Sequence, residues 1–409
     1  MSSSRPTVCT ITALAVALLV LSACTPDPND PDLPPEADLQ LTPHGDAGTW
    51  LDDAYAAGFV DQYATPNEVC AVTDDVVVEV ERGIGGGATV MGRQLRGGGI
   101  LWEIDDATCG RGALLPENPE STVPAAASAS VVVGTQWLSA KRAWSLYDPA
   151  TGTERQALGL GAAVSSVRPL AWAGSGVVVQ TDSNDVVGLE LGTSGERGEE
   201  AWRQPIASGA EVTVLGDDHL GVPQVSVNRV SVIDMAAGEN VLSKPVPDAS
   251  EITWASDGYV EIVQETDPEY AYFDLRGNEI DRTKGVSQYP FVPSPRDGVT
   301  LPIADHRKAG TVVGVSAAGT PALFQDERQR DFTQTGEIED LPGSIIGLLG
   351  VSADGSLLLF DRGPDGLVLL DETGAEVGEW PLGYSELRIE FGLIIVSGTS
   401  GTAVLLPPA

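Results

Sequence analysis

The sequence predicts an all-β fold: a single β-propeller of eight blades, seven being the alternative, closed by pairing its N- and C-terminal strands. Three observations predict it. A strand-plus-turn pattern, fullest in Trp144–Gly152 (WSLYDPATG), recurs at Trp102–Cys109, Val187–Gly195, Ser231–Gly238, Ala271–Gly277, Pro321–Asp326 and Leu367–Gly374. The acidic residue opening each turn falls at Asp105, Asp148, Glu190, Asp234, Asp274, Asp326 and Asp371, at intervals of 43, 42, 44, 40, 52 and 45 residues. A period in the mid-forties carrying several strands is that of a propeller blade, a unit that must stack on its neighbours to bury both of its faces. Finally, Leu393–Ser397 and Thr402–Leu406 repeat two strands of a unit and the chain then stops. Two strands left alone would expose an apolar edge, so the remainder is expected from the N-terminal end, at Glu68–Val72 or also Asp38–Thr42.

A chain of 409 residues can bury a substantial core, and a closed all-β fold of this size can be one domain. Its 59 acidic residues outnumber 23 basic ones, for a net charge of -36. Such a surface repels nucleic-acid phosphates and anionic lipid heads, so neither is expected as a direct partner. The charge is spread along the chain, as on a solvated, self-repelling surface; a dedicated face for cations or basic proteins is the alternative.

Residues 1–23 read as an export signal, with Arg5 before the apolar run Ile11–Leu21, which is too short to span a bilayer. The tetrapeptide Leu21-Ser22-Ala23-Cys24 resembles the bacterial lipobox. That resemblance implies cleavage before Cys24 and fatty acylation of it, anchoring the protein to the extracytoplasmic side of the cell membrane. Residues 24–48 then form an acidic, proline-rich stalk with almost no aliphatic bulk to pack. Asp27, Asn29, Asp30 and Asp32 within it lack the glycine and distal glutamate of a calcium loop. Over 49–67, helical spacing of Trp50, Leu51, Ala54, Tyr55 and Ala57 behind a Thr49 cap predicts a short helix packed on the propeller.

The periodic part occupies 68–409. Each unit is read as opening with a valine- or leucine-rich strand, among them Val76–Val80, Val177–Gln180 and Leu357–Asp361. Continuous β-branched runs suit strands buried on both faces. A second strand ends in the acidic turn, where glycine supplies positive φ and the aspartate can bond amides two residues on; a third strand follows. The pattern apolar-x-Asp-x-x-Thr-Gly, with good copies at Asp105–Thr108, Asp148–Gly152 and Asp371–Gly374 and with Trp380 following the last, resembles the repeat of the quinoprotein-dehydrogenase-type (PQQ-like) β-propellers. The resemblance implies mostly eight-bladed rings whose turns dock neighbouring blades by tryptophan packing.

Cys70 and Cys109 flank strands whose antiparallel pairing brings them to one end, so a disulfide is expected in an exported protein. Closing about forty residues this way contributes roughly 4 kcal/mol. No catalytic constellation is visible: there is no G-x-S-x-G elbow, and His44, His219 and His306 lie far apart. Acidic turns at Asp182–Asp185, Asp217-Asp218 and Asp361–Asp365 could hold calcium but read as hairpin turns. The one cationic patch, Arg82, Arg93 and Arg96 in the glycine-rich excursion Glu81–Gly99, is the candidate contact loop. The expectation is a monomeric, non-catalytic protein-interaction or ligand-binding module of the cell envelope. Its partner would be an envelope or secreted protein, its membrane attachment Cys24, and no cofactor is expected. Two alternatives stay open: a quinone- or metal-dependent oxidoreductase in the central funnel, implied by the family resemblance, and cell-wall glycan binding by exposed aromatics.

Overall fold

The computed structural model describes residues 39–408 apart from 46–48, 60, 84–85, 119–127, 138–140, 162–163, 183, 193–196, 225–227, 247–249, 264–268, 285–298, 310–311, 326–329, 339–346, 382–383 and 400. The export signal, Cys24 and the stalk as far as 38 lie outside them. The described residues form eight antiparallel sheets in a ring, an eight-bladed β-propeller.

Seven blades are meanders of four strands; in blade 2 two short strands, Ala107–Thr108 and Leu114–Leu115, both pair with Ser130–Trp137. Blade 1 comprises Glu68–Val72, Val76–Arg82, Ala88–Gln94 and Ile100–Asp105; blade 3 comprises Val167–Ala173, Gly176–Thr181, Asp185–Glu190 and Glu199–Pro205. Blade 4 runs Thr213–Leu215, His219–Gln224, Arg229–Asp234 and Asn240–Pro245, and blade 7 runs Gly347–Val351, Leu357–Asp361, Leu367–Asp371 and Glu376–Trp380. The second and third strands carry the core. In blade 7, Leu357–Phe360 and Leu367–Leu370 are all at most 1% exposed, whereas the fourth strand is largely open to solvent. Burying each such side chain contributes about 1.5–3 kcal/mol, and the apolar clusters lie between adjacent sheets, so blades are stable only as neighbours.

The expected three-strand unit is therefore one strand too short. Runs read as opening strands, such as Val76–Val80, Val177–Gln180 and Leu357–Asp361, lie in second strands, preceded by Glu68–Val72, Val167–Ala173 and Gly347–Val351; Val312–Val315 does open its blade. Two motif copies were assigned to the wrong strand. Asp105 ends the fourth strand of blade 1, whose turn after the third strand is made by Leu95, Arg96 and Gly97 instead. Asp326 lies outside the described residues, past Pro321–Gln325, which is the second strand of blade 6; the third, Asp331–Thr333, turns through Gln334 and Thr335. All these strands share one apolar-then-acidic pattern, and only pairing register separates them. The wide 52-residue interval holds a further element, the helix Ile303–Ala309, packed on the second and third strands of blade 5.

Closure comes from the N-terminal side, as expected, but from a different segment. Asp61–Thr65 pairs antiparallel with Gly401–Leu406 and completes blade 8 behind Glu386–Glu390 and Leu393–Gly398. Glu68–Val72 belongs to blade 1, and residues 39–42 hang on blade 6, where the Leu41 amide donates to Gly319 O at 2.9 Å. The predicted helix over 49–67 shrinks to a five-residue 3-10 turn, Asp53–Ala57, capped by Asp52 rather than Thr49 and ended by Gly58 at φ 80°. Tyr63 and Thr65 are buried while Gln62 and Ala64 are exposed, the period-2 alternation of a strand.

Ahead of that strand the chain forms an arm across one face of the ring, the face bearing the turns after each first and third strand. It bonds to blade 6 at Gly319, pairs His44 with Thr300 beside the helix, bridges Leu51 to Ser352 in blade 7 and donates from the Asp52 amide to Gly392 in blade 8. The Tyr55 ring is fully buried, its hydroxyl donating to Leu405 O at 2.5 Å and accepting from the Ile394 amide.

Candidate functional site

The acidic turns are built as the sequence requires. Asp148 Oδ1 accepts from the amides of Ala150 and Thr151, Asp234 Oδ1 from Ala236 and Ala237, and Asp371 Oδ1 from Thr373 and Ala375, all at 2.8–3.1 Å. Burial raises the Asp148 carboxyl, but Arg155 and the turn amides outweigh it and hold it below the usual carboxylate range.

Tryptophans of the fourth strands lock onto these turns. A bulge in the pairing of third and fourth strands recurs in blades 1, 2, 3, 4, 5 and 7, and the residue just past it is Trp102, Gln156, Trp202, Leu242, Asp281 and Gly378 respectively. Trp102 Nε1 donates to Pro149 O of blade 2 at 2.8 Å, and Trp202 Nε1 to Met235 O of blade 4 at 3.1 Å. Each ring lies against two glycines, one on its own blade and one in the neighbour's turn. A Cβ on Gly92 or Gly152 would come within 2.5 Å of Trp102, and one on Gly188 or Gly238 within 2.3 Å of Trp202. In blade 4, Leu242 meets Gly277 of blade 5 in the same way.

Blade 7 departs from this. Blade 8 has no turn joining its third strand to its fourth, because those strands come from opposite ends of the chain. The docking position is Gly378, and Phe59 of the arm occupies the space a larger side chain would fill, 3.0 Å from the position of a Cβ there. Trp380, which the motif reading assigned to docking, stands two residues further along. It walls a groove of about 360 Å³ between blades 7 and 8. The groove exists because the closing blade presents small residues, Ala64 and Ala403, with Gly398 and Gly401 at the hairpin of its second and third strands. Tyr384 and Gln62 also line it, and the Ser397 and Thr402 hydroxyls, both buried, bond each other at 3.3 Å. It opens on the face opposite the arm.

The three predicted arginines sit on the other side of blade 8, at its seam with blade 1, and each has a partner. Arg93 Nε pairs at 2.7 Å with Glu79, a carboxylate 1% exposed that also accepts from Tyr63 Oη and Asn67 Nδ2, both at 2.9 Å. Burial and then Glu79 push the Tyr63 hydroxyl well above its ordinary value. Arg96 donates to Pro407 O at 2.7 Å, clasping the C-terminal tail to blade 1, and Arg82 pairs with Glu68. Arg111, from the start of blade 2, reaches both Glu68 and Glu386. Deeper in, Arg388 donates to Val69 O at 2.6 Å and the Val72 amide to Glu390 at 3.0 Å. Burial pushes the Glu390 carboxyl up although Arg388 and that amide draw it down. Sequence reasoning found the cations but not their buried carboxylates; Glu79, alone among valines in Val76–Val80, was the available signal.

Cys70 and Cys109 form the expected disulfide, with Cα atoms 5.8 Å apart. It joins the first strand of blade 1 to the start of blade 2, so it staples two blades beside the seam rather than two strands of one unit. Among the described residues no group of three or more His, Cys, Asp or Glu side chains could hold a metal ion, and no helix is long and apolar enough to cross a membrane. His306 lies buried in the helix Ile303–Ala309, and His44 pairs with Thr300 just ahead of that helix, while His219 opens the second strand of blade 4.

No family model matches the chain, and no curated protein matches it. Among solved structures it is similar to BamB from Moraxella catarrhalis, at 14% identity and TM-score 0.46, over 85% of this chain and 98% of that one. It is also similar to the β-propeller domain of Swd1 from Myceliophteria thermophila (12%, TM-score 0.41, 86% and 99%) and to the WD40 domain of Toxoplasma gondii coronin (10%, TM-score 0.37, 86% and 88%). No activity or partner is carried across at these identities.

Proposed function

We propose that this chain is a lipid-anchored propeller on the extracytoplasmic side of the cell membrane, acting as a non-catalytic interaction module of the cell envelope. The observation that carries the reading is a ring closed over a buried ionic seam and stapled beside it by a disulfide, with the arm crossing one face and leaving the opposite face to a partner. Disulfides persist in oxidising, extracytoplasmic compartments, which supports export. A rigid ring presents loops whose variation leaves the core untouched, which supports recognition of a protein partner by shape. Acylation of Cys24 within Leu21–Cys24 would supply the tether. The charge of -36 favours envelope or secreted proteins with basic surfaces over nucleic acid.

Two measurements in intact cells test this. Radiolabelled palmitate should enter the wild-type chain and be absent from Cys24→Ser; label unaffected by that change removes the anchor. Photo-crosslinkers on the face opposite the arm should capture a discrete envelope protein, while crosslinkers at the arm should not. Equal capture from both faces, or from neither, removes the interaction module.

A further inference from the structure

The groove between blades 7 and 8 is lined by uncharged residues. In a chain of net charge -36, none of the 12 residues lining it is charged. An aromatic wall faces small residues, with a carboxamide and two hydroxyls at hand. Trp380 owes its place there to no blade-docking role, since that role at this joint falls to Phe59 against Gly378. Trp380 is half-buried, packed in part against the core shared by blades 7 and 8, and where it lines the groove it presents aromatic surface to whatever enters.

Charged ligands find no counter-charge in such a groove. The Ser397 and Thr402 hydroxyls bond each other at 3.3 Å, and each keeps further hydrogen-bonding capacity that a polar ligand can use and a wholly apolar one cannot. The chemistry that suits all these features is a neutral sugar ring. One face of a pyranose carries C–H bonds that lie well on the negative face of an indole, while its rim of hydroxyls both donates and accepts, as do a carboxamide and a hydroxyl. The volume, about 360 Å³, falls in the range of small-molecule pockets.

The geometry points to the groove walled by Trp380 and floored by Ala64 and Ala403 as a binding site for a neutral glycan. The inference deepens the reading of the protein as an envelope module by naming one ligand class. It can be tested in solution, so it fails or stands apart from the anchor and the protein partner.

Isothermal titration of the purified full-length chain with the tetramer of N-acetylglucosamine and with maltotetraose is the experiment. Saturable binding of at least one is expected, weakened at least tenfold by Trp380→Ala and by Ala64→Trp. The second variant fills the groove from an exposed strand position and leaves the core alone. Thermal melts within a few degrees of wild type show both variants folded. Should neither oligosaccharide bind, or should binding persist in the folded Ala64→Trp chain, the glycan site is overturned.

Discussion

The joint between blades 3 and 4 and the closure between blades 7, 8 and 1 solve one problem by different means. At the first, Trp202 lies on Gly188 and Gly238 and donates to Met235 O, with Gln204 beside it donating to Gly238 O. The second has no continuous turn to dock against, and the work is divided. Phe59 of the arm fills the docking space, Tyr55 ties the arm to Leu405 and Ile394, and Glu79 gathers Tyr63, Asn67 and Arg93 across the seam. A ring made from one chain must be cut somewhere, and the cut removes the local turn that every other blade uses. Long-range contacts replace it, and one displaced tryptophan is left to wall a groove.

The sharpest way to break the comparison is at the disulfide beside the seam. Cys70→Ser with Cys109→Ser frees a loop of 39 residues in sequence separation and should destabilise the fold by about 4 kcal/mol on the chain-entropy account, read by urea unfolding. A loss below about 1 kcal/mol would mean that the buried contacts of blades 1, 2 and 8 already hold the ring closed.

Next come the two tryptophans. Trp202→Ala should cost about 3 kcal/mol, because it empties a space shaped by two glycines. Trp380→Ala should cost less, about 1–2 kcal/mol, because Trp380 packs only in part against the core and no glycine among the described residues is shaped to its ring. Equal losses would show that Trp380 also docks blades and would undo the contrast between the joints.

The smallest effect concerns the joint between blades 5 and 6, which a helix fills. Burial lowers the His306 imidazole from 6.5 to about 4, although the Leu301 backbone, Asp257 and Asp305 act to raise it. Between those values the unfolded chain binds more protons than the folded one. Stability is therefore complete above pH 6.5 and falls as the pH drops towards 4, by about 2 kcal/mol at pH 5. His306→Gln should flatten that part of the profile in thermal melts, and an unchanged slope would place the acid sensitivity elsewhere.

Much of this was legible along the chain. Asp148, Asp234, Asp274 and Asp371 with their glycines marked four true blade turns, since an aspartate that bonds its own following amides is a local device. Gly92 and Gly188, paired across strands with Trp102 and Trp202, were visible as residues but not as partners. Asp105 imitated a turn because alternation and a trailing acid look alike in any strand of a blade. The groove left no mark in the sequence: its lining comes from residues 62–66 and 380–403, more than 300 positions apart.

Strand chemistry, turn chemistry and the beat between turns thus determined that the chain makes blades and that its ends must meet, leaving eight blades or seven. The number of blades, which strand closes the ring, where the arm lies and which tryptophan lines the groove were settled by the folded state. Those outcomes depend on what lies opposite a side chain across hundreds of residues, and a strand's own pattern specifies which of its faces is apolar without specifying the neighbour that covers it.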